Sequence, residues 1–203
     1  MKLYYMPGAC SLATHITLEW IGEPYETHKL NHDDLKKDTY LRVNPAGAVP
    51  ALEVNGSVFT QNAAVLNYLA EKHPEAKLDG DGTPESRAEV NRWLGLVNSD
   101  MHPAFKPLFG STAYLEDEAI VEKTKAHAKK MLHKLFERID TQLEGRDWIA
   151  GMRSIADPYL FVMVRWAKGM KIDLSGLDNL EHFFQHMHAD AAVKKVLKEE
   201  GLG

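Results

Sequence analysis

Two short β-rich runs joined by Asn55-Gly56 place the strongest constraint on the fold of this 203-residue chain. The runs are PALEV, residues 50–54, and SVFT, residues 57–60. Because Asn-Gly readily takes the left-handed backbone conformations of a two-residue turn, the runs predict an antiparallel hairpin. A helical pattern, QNAAVLNYLAEK, follows directly and ends before a proline. This part of the chain therefore predicts a strand–strand–helix unit.

A strand–helix–strand unit precedes the hairpin. KLYYM, residues 2–6, is typical of a strand and stops at Pro7-Gly8. Apolar residues then recur every four positions from Leu12 to Trp20, which is helical spacing. YETHKL, residues 25–30, alternates weakly and predicts a second strand. Two strands joined by a helix favour a parallel pair with a crossover connection.

The composition changes at residues 74–85, PEAKLDGDGTPE, which are rich in glycine, proline and acid. This change predicts a linker between two domains. Thr83 is expected to cap the next helix, with Pro84 at its first position. Every later pattern is helical: residues 84–109 with breaks near Pro103 and Pro107, residues 117–143, a helix opened by Ser154 and Asp157 at capping-box spacing, and residues 177–200.

The long pattern at 117–143 is amphipathic. Its apolar side is predicted to hold Ile120, Ala128, Leu132, Leu135 and Ile139. The aromatic residues Phe105, Tyr159 and Trp166 are assigned to the core, with a minority free to line an apolar pocket.

Composition excludes several classes of function. Hydrophobic residues make up 44% and charged residues 26% of the chain, which is ordinary for a soluble globular protein. A formal net charge of −5 without a basic run argues against a nucleic-acid partner. No apolar stretch is long enough to span a membrane or to serve as a signal peptide. A single cysteine forms no internal disulfide, so we expect a cytoplasmic protein.

Cys10, the only cysteine, lies between the first strand and the first helix in YYMPGACSLATHITLEW. Backbone N–H groups at a helix start are unpaired, and the helix dipole favours negative charge there. Both effects stabilise a thiolate or the sulfur of a bound thiol, so we expect the pKa of Cys10 to fall below the ~8.5 of a free thiol. The alternative is an inert buried cysteine. An exposed turn, with room left by Gly8, favours the functional interpretation.

Two further segments offer backbone groups to a ligand. The Val49-Pro50 bond is either trans, as most are, or cis, which would leave the Val49 N–H and C=O free for a ligand's backbone. Gln61 and Asn62 open the third helix, where free N–H groups suit a carboxylate and the polar side chains suit an ammonium. Simple capping by Thr60 or Asn62 explains the same residues equally well.

The histidines and lysines give weaker signals. His102, in NSDMHPAFKPLF, is a candidate site residue, although a lone helical histidine is more often structural or solvated. His182 and His186 have the spacing of a metal-binding pair, but His188 lies off their face and no HExxH motif occurs, so no metal site is predicted. A solvated helix face is predicted for Lys123, Lys125, Lys129 and Lys130.

These features together resemble the thioredoxin fold, with Leu12 and Ala13 where thioredoxins and glutaredoxins carry a second cysteine. With an all-helical part attached, the chain resembles the cytosolic glutathione transferases. Five segments are similar to the bacterial beta class: MKLYYMPGACSLATHITLEW, NPAGAVPAL, HPAFKPLF, SIADPYLFVMVRWA and the terminal EEGL. The resemblance covers essentially the whole chain. It implies a thioredoxin-like α/β domain at 1–78 and an all-α domain at 84–203.

The resemblance also implies a glutathione site on the first domain. Cys10 would contact or pair with the sulfur of glutathione. A cis Pro50 would let Val49 bond the cysteinyl backbone of the tripeptide. Gln61 and Asn62 would hold its γ-glutamyl end.

Further contacts are implied outside these segments. His102 would lie near the sulfur, on the wall shared with the electrophile site. Ser99 and Asp100 would reach the ligand of a neighbouring subunit in a homodimer. Lys36, after the second strand, would assist glutathione binding.

Three positions depart from the family pattern. Asn62 stands where Ser or Gly is usual, although its backbone N–H remains available to a carboxylate. Gly95 stands where a polar residue often contacts the ligand. Pro103 follows His102 where a lysine is common, which bears on the preference for electrophiles.

The expected function is therefore that of a dimeric, detoxifying glutathione transferase. It would lower the pKa of the glutathione thiol and present the thiolate to a small apolar electrophile. Glutathione would be the co-substrate, and no metal is expected. Thiol–disulfide exchange or peroxidase chemistry through Cys10 is expected as a side activity. The alternative is a non-enzymatic protein of the same fold that binds glutathione or a hydrophobic ligand.

Overall fold

The computed structural model describes residues 1–203 and begins with a four-stranded sheet and three helices. The strands are β1 (Lys2–Tyr5), β2 (Glu26–Lys29), β3 (Ala51–Val54) and β4 (Ser57–Thr60). The helices are α1 (Ser11–Ile21), the short α2 (Asp38–Leu41) and α3 (Asn62–Lys72). The order of elements is thus the predicted strand–helix–strand unit followed by strand–strand–helix.

The sheet has the order β2-β1-β3-β4. Strands β1 and β2 are parallel, and the other neighbours are antiparallel. Asn55 and Gly56 join β3 to β4 with φ angles of 50° and 83°. Two successive positive φ values are what a type I′ hairpin turn requires, so the predicted hairpin is confirmed.

The rest of the chain is helical. Its helices are α4 (Pro84–Gly95), the single turn α5 (His102–Ala104), α6 (Glu118–Gln142), α7 (Ala156–Gly169), α8 (Asp178–Ala189) and α9 (Ala191–Glu200). The helix expected over 84–109 changes form earlier than its prolines suggested, because a π-helical turn occupies Leu96–Met101. Such wide turns occur most often beside functional sites.

The predicted helix starts are confirmed by their hydrogen bonds. The Thr83 hydroxyl accepts from the Ser86 N–H at 3.2 Å, with Pro84 at the first helical position. Before α7, Asp157 accepts from the Ser154 N–H at 2.7 Å, and the Ser154 hydroxyl accepts from the Ala156 N–H at 3.3 Å. These bonds satisfy N–H groups that a helix leaves unpaired at its start.

One continuous core joins the sheet side to the helices. It includes Leu12 and Ile16 of α1 together with Tyr159 and Leu160 of α7. The segment expected to be a linker is docked against this core, because Leu78 is fully buried and its carbonyl accepts from the Ile155 N–H at 2.9 Å.

The apolar side of α6 is only partly as predicted. Ala128, Leu132 and Ile139 are buried, and Leu135 is half-buried. The assignment of Ile120 was wrong: its side chain is 48% exposed, because the first turns of α6 extend beyond the main core. No helix of this fold combines the length and apolar character needed to cross a bilayer.

Candidate active site

Cys10 sits at the start of α1, on a loop fixed from several directions. Gly8 has a φ of +71°, which glycine adopts readily. Its N–H donates to Glu200 at 2.9 Å, and its carbonyl accepts from the Trp166 indole N–H at 2.8 Å. A Cβ at Gly8 would make only ordinary contact, at 3.6 Å, with the Leu202 side chain, so the positive φ rather than crowding is what favours glycine there.

The Glu200 contact belongs to a buried cluster between α1 and α9. The Glu200 carboxylate also contacts His15 Nδ1 at 2.9 Å, and both residues are almost fully buried. His15 Nε2 has no hydrogen-bond partner and lies 3.3 Å from a Glu199 oxygen. The loop before Cys10 is thereby tied to the last helix of the fold.

The Cys10 thiol is held by the loop that precedes β3. Its Sγ donates to the Val49 carbonyl at 3.3 Å, and no side chain caps the start of α1. The N–H groups of Cys10 and Ser11 favour the thiolate, as the sequence suggested, but burial outweighs them and raises the pKa of Cys10 to about 12. The expected pKa below 8.5 was therefore wrong, because Cys10 is half-buried and the desolvation of its thiol outweighs the helix start.

The Val49-Pro50 peptide bond is cis. The preceding loop is anchored by Asn44, which is buried and donates from Nδ2 to the Ala48 carbonyl at 2.7 Å. The Tyr40 hydroxyl donates to the same carbonyl at 2.6 Å. This double contact fixes the residue immediately before Val49, and no local sequence pattern predicted it.

The start of α3 lacks a side-chain cap. Gln61 occupies the cap position with a φ of 69°, and neither Thr60 nor Asn62 caps the helix. Instead, the Asn62 amide donates to the Cys10 carbonyl at 2.7 Å and accepts from the Thr14 hydroxyl at 2.8 Å. A positive φ is uncommon outside glycine, and such positions recur at ligand-binding sites as well as in turns. The capping alternative is excluded, and the first N–H groups of α3 remain without a side-chain acceptor.

His102 lies on the opposite wall, at the end of the π-helical turn. Its Nδ1 lies 2.5 Å from the Tyr159 hydroxyl, and its ring packs edge-on against Trp166 at a centroid distance of 5.0 Å. Burial, with a smaller effect of Lys106, lowers the pKa of His102 below 6.5, so the imidazole is neutral at pH 7. Tyr159 was assigned to the core and is indeed buried, but its hydroxyl faces this site.

These segments enclose one cavity of about 350 Å³. Among the predicted site residues, its walls bring together Cys10, Val49, Pro50, Gln61, Asn62 and His102. Lys36, Ser99 and Asp100 lie outside it and are exposed. The sequence interpretation missed Asn44, Asn98, Lys106 and Tyr159, which also line it.

The metal-like histidine spacing has another explanation. His182 Nε2 contacts Asp147 at 3.0 Å, and the His186 ring packs against Trp148 at a centroid distance of 4.7 Å. No group of three metal-ligating side chains occurs in the structure. The pair thus belongs to the packing between α8 and the loop before α7.

A mixed four-stranded sheet with a cysteine at its first helix and a cis-proline before its third strand defines a thioredoxin-like protein. The model of the glutathione S-transferase N-terminal domain matches residues 8–72, and that of the C-terminal domain matches residues 101–190. The chain belongs to the glutathione S-transferase family.

Individual relatives agree with this assignment. The chain is 53% identical over 203 residues to glutathione S-transferase GST-4.5 of Xanthomonas campestris pv. campestris, covering 100% of both chains. It is similar to the solved glutathione S-transferase of Xylella fastidiosa, with a TM-score of 0.97, 48% identity and coverage of 100% and 99%. A bacterial beta class enzyme of Sphingomonas chungbukensis gives a TM-score of 0.88, 35% identity and full coverage of both chains. The predicted resemblance to the beta class is confirmed.

Proposed function

We propose that this protein is a glutathione transferase that binds glutathione beside Cys10 and joins its sulfur to small apolar electrophiles. The observation that carries the proposal is the convergence of Cys10, Val49, Gln61 and His102, from four separate segments, on one cavity. A cavity of about 350 Å³ is within the range of small-molecule sites. The names of its relatives support glutathione as the co-substrate.

Each part of glutathione has a suitable partner in the cavity. The backbone of Val49 suits the cysteinyl backbone of the tripeptide. The uncapped N–H groups after Gln61 suit the γ-glutamyl carboxylate, because a helix start favours anions. Asn62 contributes its backbone N–H, since its side chain is engaged with Cys10 and Thr14.

The protonated thiol of Cys10 supports conjugation as the main reaction. With its pKa raised to about 12, Cys10 keeps its proton at neutral pH, and its single S–H can turn from the Val49 carbonyl to donate to the thiolate of glutathione. The N–H groups at the start of α1 add to this stabilisation, so the glutathione thiol releases its proton to solvent more readily. The thiolate then attacks the electrophilic carbon, a C–S bond forms, and the leaving group departs with its electron pair.

Thiol–disulfide exchange is proposed as a slower side reaction. Here the Cys10 thiolate would attack one sulfur of glutathione disulfide, forming a mixed disulfide and releasing one glutathione thiolate. Exchange depends on the thiolate fraction of the attacking group. Burial of Cys10 keeps that fraction small, which favours conjugation over exchange.

A homodimer in the cytoplasm completes the proposal. Asn98 lines the cavity, and the next two residues, Ser99 and Asp100, are exposed beside it. This placement suits a contact with a second subunit and with its ligand. Light scattering at micromolar protein tests the assembly, and the single-chain mass of 22.9 kDa would contradict it.

Lys36 remains a proposed glutathione contact from outside the cavity. Lys36 is exposed on a 3₁₀ turn. This turn packs against the loop that leads to Val49: the carbonyl of Leu35 would lie only 3.0 Å from a Cβ placed on Gly47 of that loop. Lys36→Met should raise KM for glutathione. Lys37→Met is the matched control, because Lys37 is already paired with Asp34 at 2.7 Å.

Two measurements test the function itself. A ligand that binds only the native state stabilises it by about 2.7 kcal/mol at a hundred times its Kd. Glutathione at millimolar concentration should therefore raise the melting temperature, and an unchanged melt would overturn the proposed site. Turnover of a chloronitroaromatic electrophile separates the enzyme from a non-enzymatic binding protein of the same fold.

A further inference from the structure

The active-site cavity carries a net positive charge from one side chain. No aspartate or glutamate lines it, and His102 is neutral at pH 7. Lys106 is the only lysine or arginine that lines it, and Cys10 and Tyr159 keep their protons. An uncompensated cation in a concave site attracts anionic groups.

Lys106 has no partner elsewhere in the protein. Its ammonium takes part in no ion pair and no hydrogen bond, although other lysines such as Lys37, Lys168 and Lys195 do. It follows His102 by four residues, about one helical turn, and both side chains line the cavity. The effect of Lys106 on the His102 pKa also places the ammonium within electrostatic range of that ring.

The cavity has two walls, and Lys106 belongs to the wall away from the sheet. One wall comes from residues 10, 44–50 and 61–62, to which the tripeptide is assigned. The other comes from residues 98–106 and Tyr159. A group bound at Lys106 therefore lies on the side that the proposed function gives to the electrophile.

Resting on that proposed function, we infer that Lys106 makes the enzyme selective for electrophiles that carry an anionic group, such as an aromatic carboxylate. The aromatic part of such a substrate packs toward His102 and Pro103, which line the cavity, and its carboxylate meets the exposed Lys106 ammonium. The residue is a specificity determinant and takes no part in bond making.

The test compares a chlorodinitrobenzoate with the corresponding uncharged chlorodinitrobenzamide. The two share a leaving group and differ in charge and in ring activation, so the change in the ratio of their kcat/KM values between variants isolates the contact with the carboxylate. Lys106→Met should lower this ratio about two- to fivefold, since Lys106 is exposed and an exposed ion pair contributes up to about 1 kcal/mol. Lys106→Arg should restore most of it. Lys130→Met, at an exposed position of α6, is the control and should leave the ratio unchanged.

Two further readouts separate charge recognition from a loss of packing. Added salt should lower the ratio in the wild-type enzyme and leave it constant in Lys106→Met, because screening acts only where the charge remains. Equal losses with both electrophiles, or a higher KM for glutathione in Lys106→Met, would overturn the inference, because the lysine would then serve the tripeptide or the fold.

Binding of the two glutathione conjugates, measured by calorimetry, keeps this result distinct from failure of the proposed function. If wild-type protein turns over neither electrophile, the transferase proposal fails. The inference about Lys106 still stands if Lys106→Met weakens only the carboxylate conjugate. The inference is overturned if Lys106→Met weakens the binding of both conjugates equally or of neither.

Discussion

The Cys10 thiol donates a hydrogen bond to the Val49 carbonyl across 3.3 Å, joining the start of the first helix to the residue before the cis-proline. Such a bond exists only while the sulfur keeps its proton. It acts in the same direction as burial, and both disfavour the thiolate. A helix dipole alone would lower the pKa of a thiol at this position and make it reactive, but the Cys10 thiol stays protonated.

Native Cys10 should resist alkylation by iodoacetamide at pH values where a free thiol reacts. Only the thiolate is the nucleophile, and the pKa is raised to about 12. The rate of labelling, followed by mass spectrometry, should keep rising through about pH 9 with no midpoint near the ~8.5 of a free thiol. As a control, the same residue in denatured protein should react at the ordinary rate. A native midpoint at or below 8.5 would contradict the enclosed thiol.

Replacing Cys10 by serine should separate the two proposed reactions. Cys10→Ser removes the adduct with glutathione disulfide, because no sulfur remains to form it. Conjugation should fall only several-fold, since the serine hydroxyl can still donate to a thiolate and removal of one hydrogen bond typically changes stabilisation by about 1 kcal/mol. Cys10→Ala lacks the donor and should lose more. Equal activity of the two variants would exclude a donor role.

The anchor of the Val49 loop gives a third prediction. Asn44→Ala removes the bond to the Ala48 carbonyl and leaves the Ala46 N–H, now 3.1 Å from Asn44 Oδ1, without its acceptor. We expect a loss of about 1–3 kcal/mol in the free energy of unfolding and a higher KM for glutathione. Tyr40→Phe should be milder, because Asn44 still donates to that carbonyl. Urea unfolding and steady-state kinetics measure both effects, and an unchanged KM in Asn44→Ala would dissociate this loop from ligand binding.

Asp157 should make stability depend on pH. Burial raises its pKa to about 7, despite donors from Ile149 and Ser154, whereas the unfolded value is about 3.9. Between these values the native state binds more protons, so the contribution of Asp157 is complete below about pH 4 and is lost as pH rises through about 7. The difference in unfolding free energy between wild type and Asp157→Asn should therefore shrink with rising pH. A difference that grows would mean that the donors outweigh burial.

The sequence was sufficient to predict those structural features whose interacting residues are close together in the chain. Asn55-Gly56 set the hairpin, and Thr83 and Ser154 set helix starts, because the groups that bond there lie within a few residues of each other. Short motifs marked Cys10, Val49 and Gln61 as candidates one at a time, and the resemblance to glutathione transferases joined them into one site.

Properties that depend on contacts between residues far apart in the sequence could not be predicted from local motifs. The Cys10 pKa depends on desolvation by segments far away in the sequence, such as the Val49 loop that its thiol contacts. Tyr159 was predicted to be a core residue, and its ring is indeed buried. The sequence could not show that its hydroxyl faces the cavity. Lys106 follows His102 by one helical turn, but only the folded chain shows that both side chains line the same cavity.

The contact between Gly8 and Glu200 has a consequence for the protein during its synthesis. These partners are separated by 192 positions, and a ribosome makes the chain from its amino end. Gly8 leaves the ribosome long before Glu200 has been added to the chain. The loop that carries Cys10 therefore lacks its hydrogen bond to Glu200 during most of synthesis. During that interval the thiol is an ordinary, ionisable one with a pKa of about 8.5. Oxidative damage to this cysteine should therefore be greatest in nascent chains, and completion of the fold is what protects it.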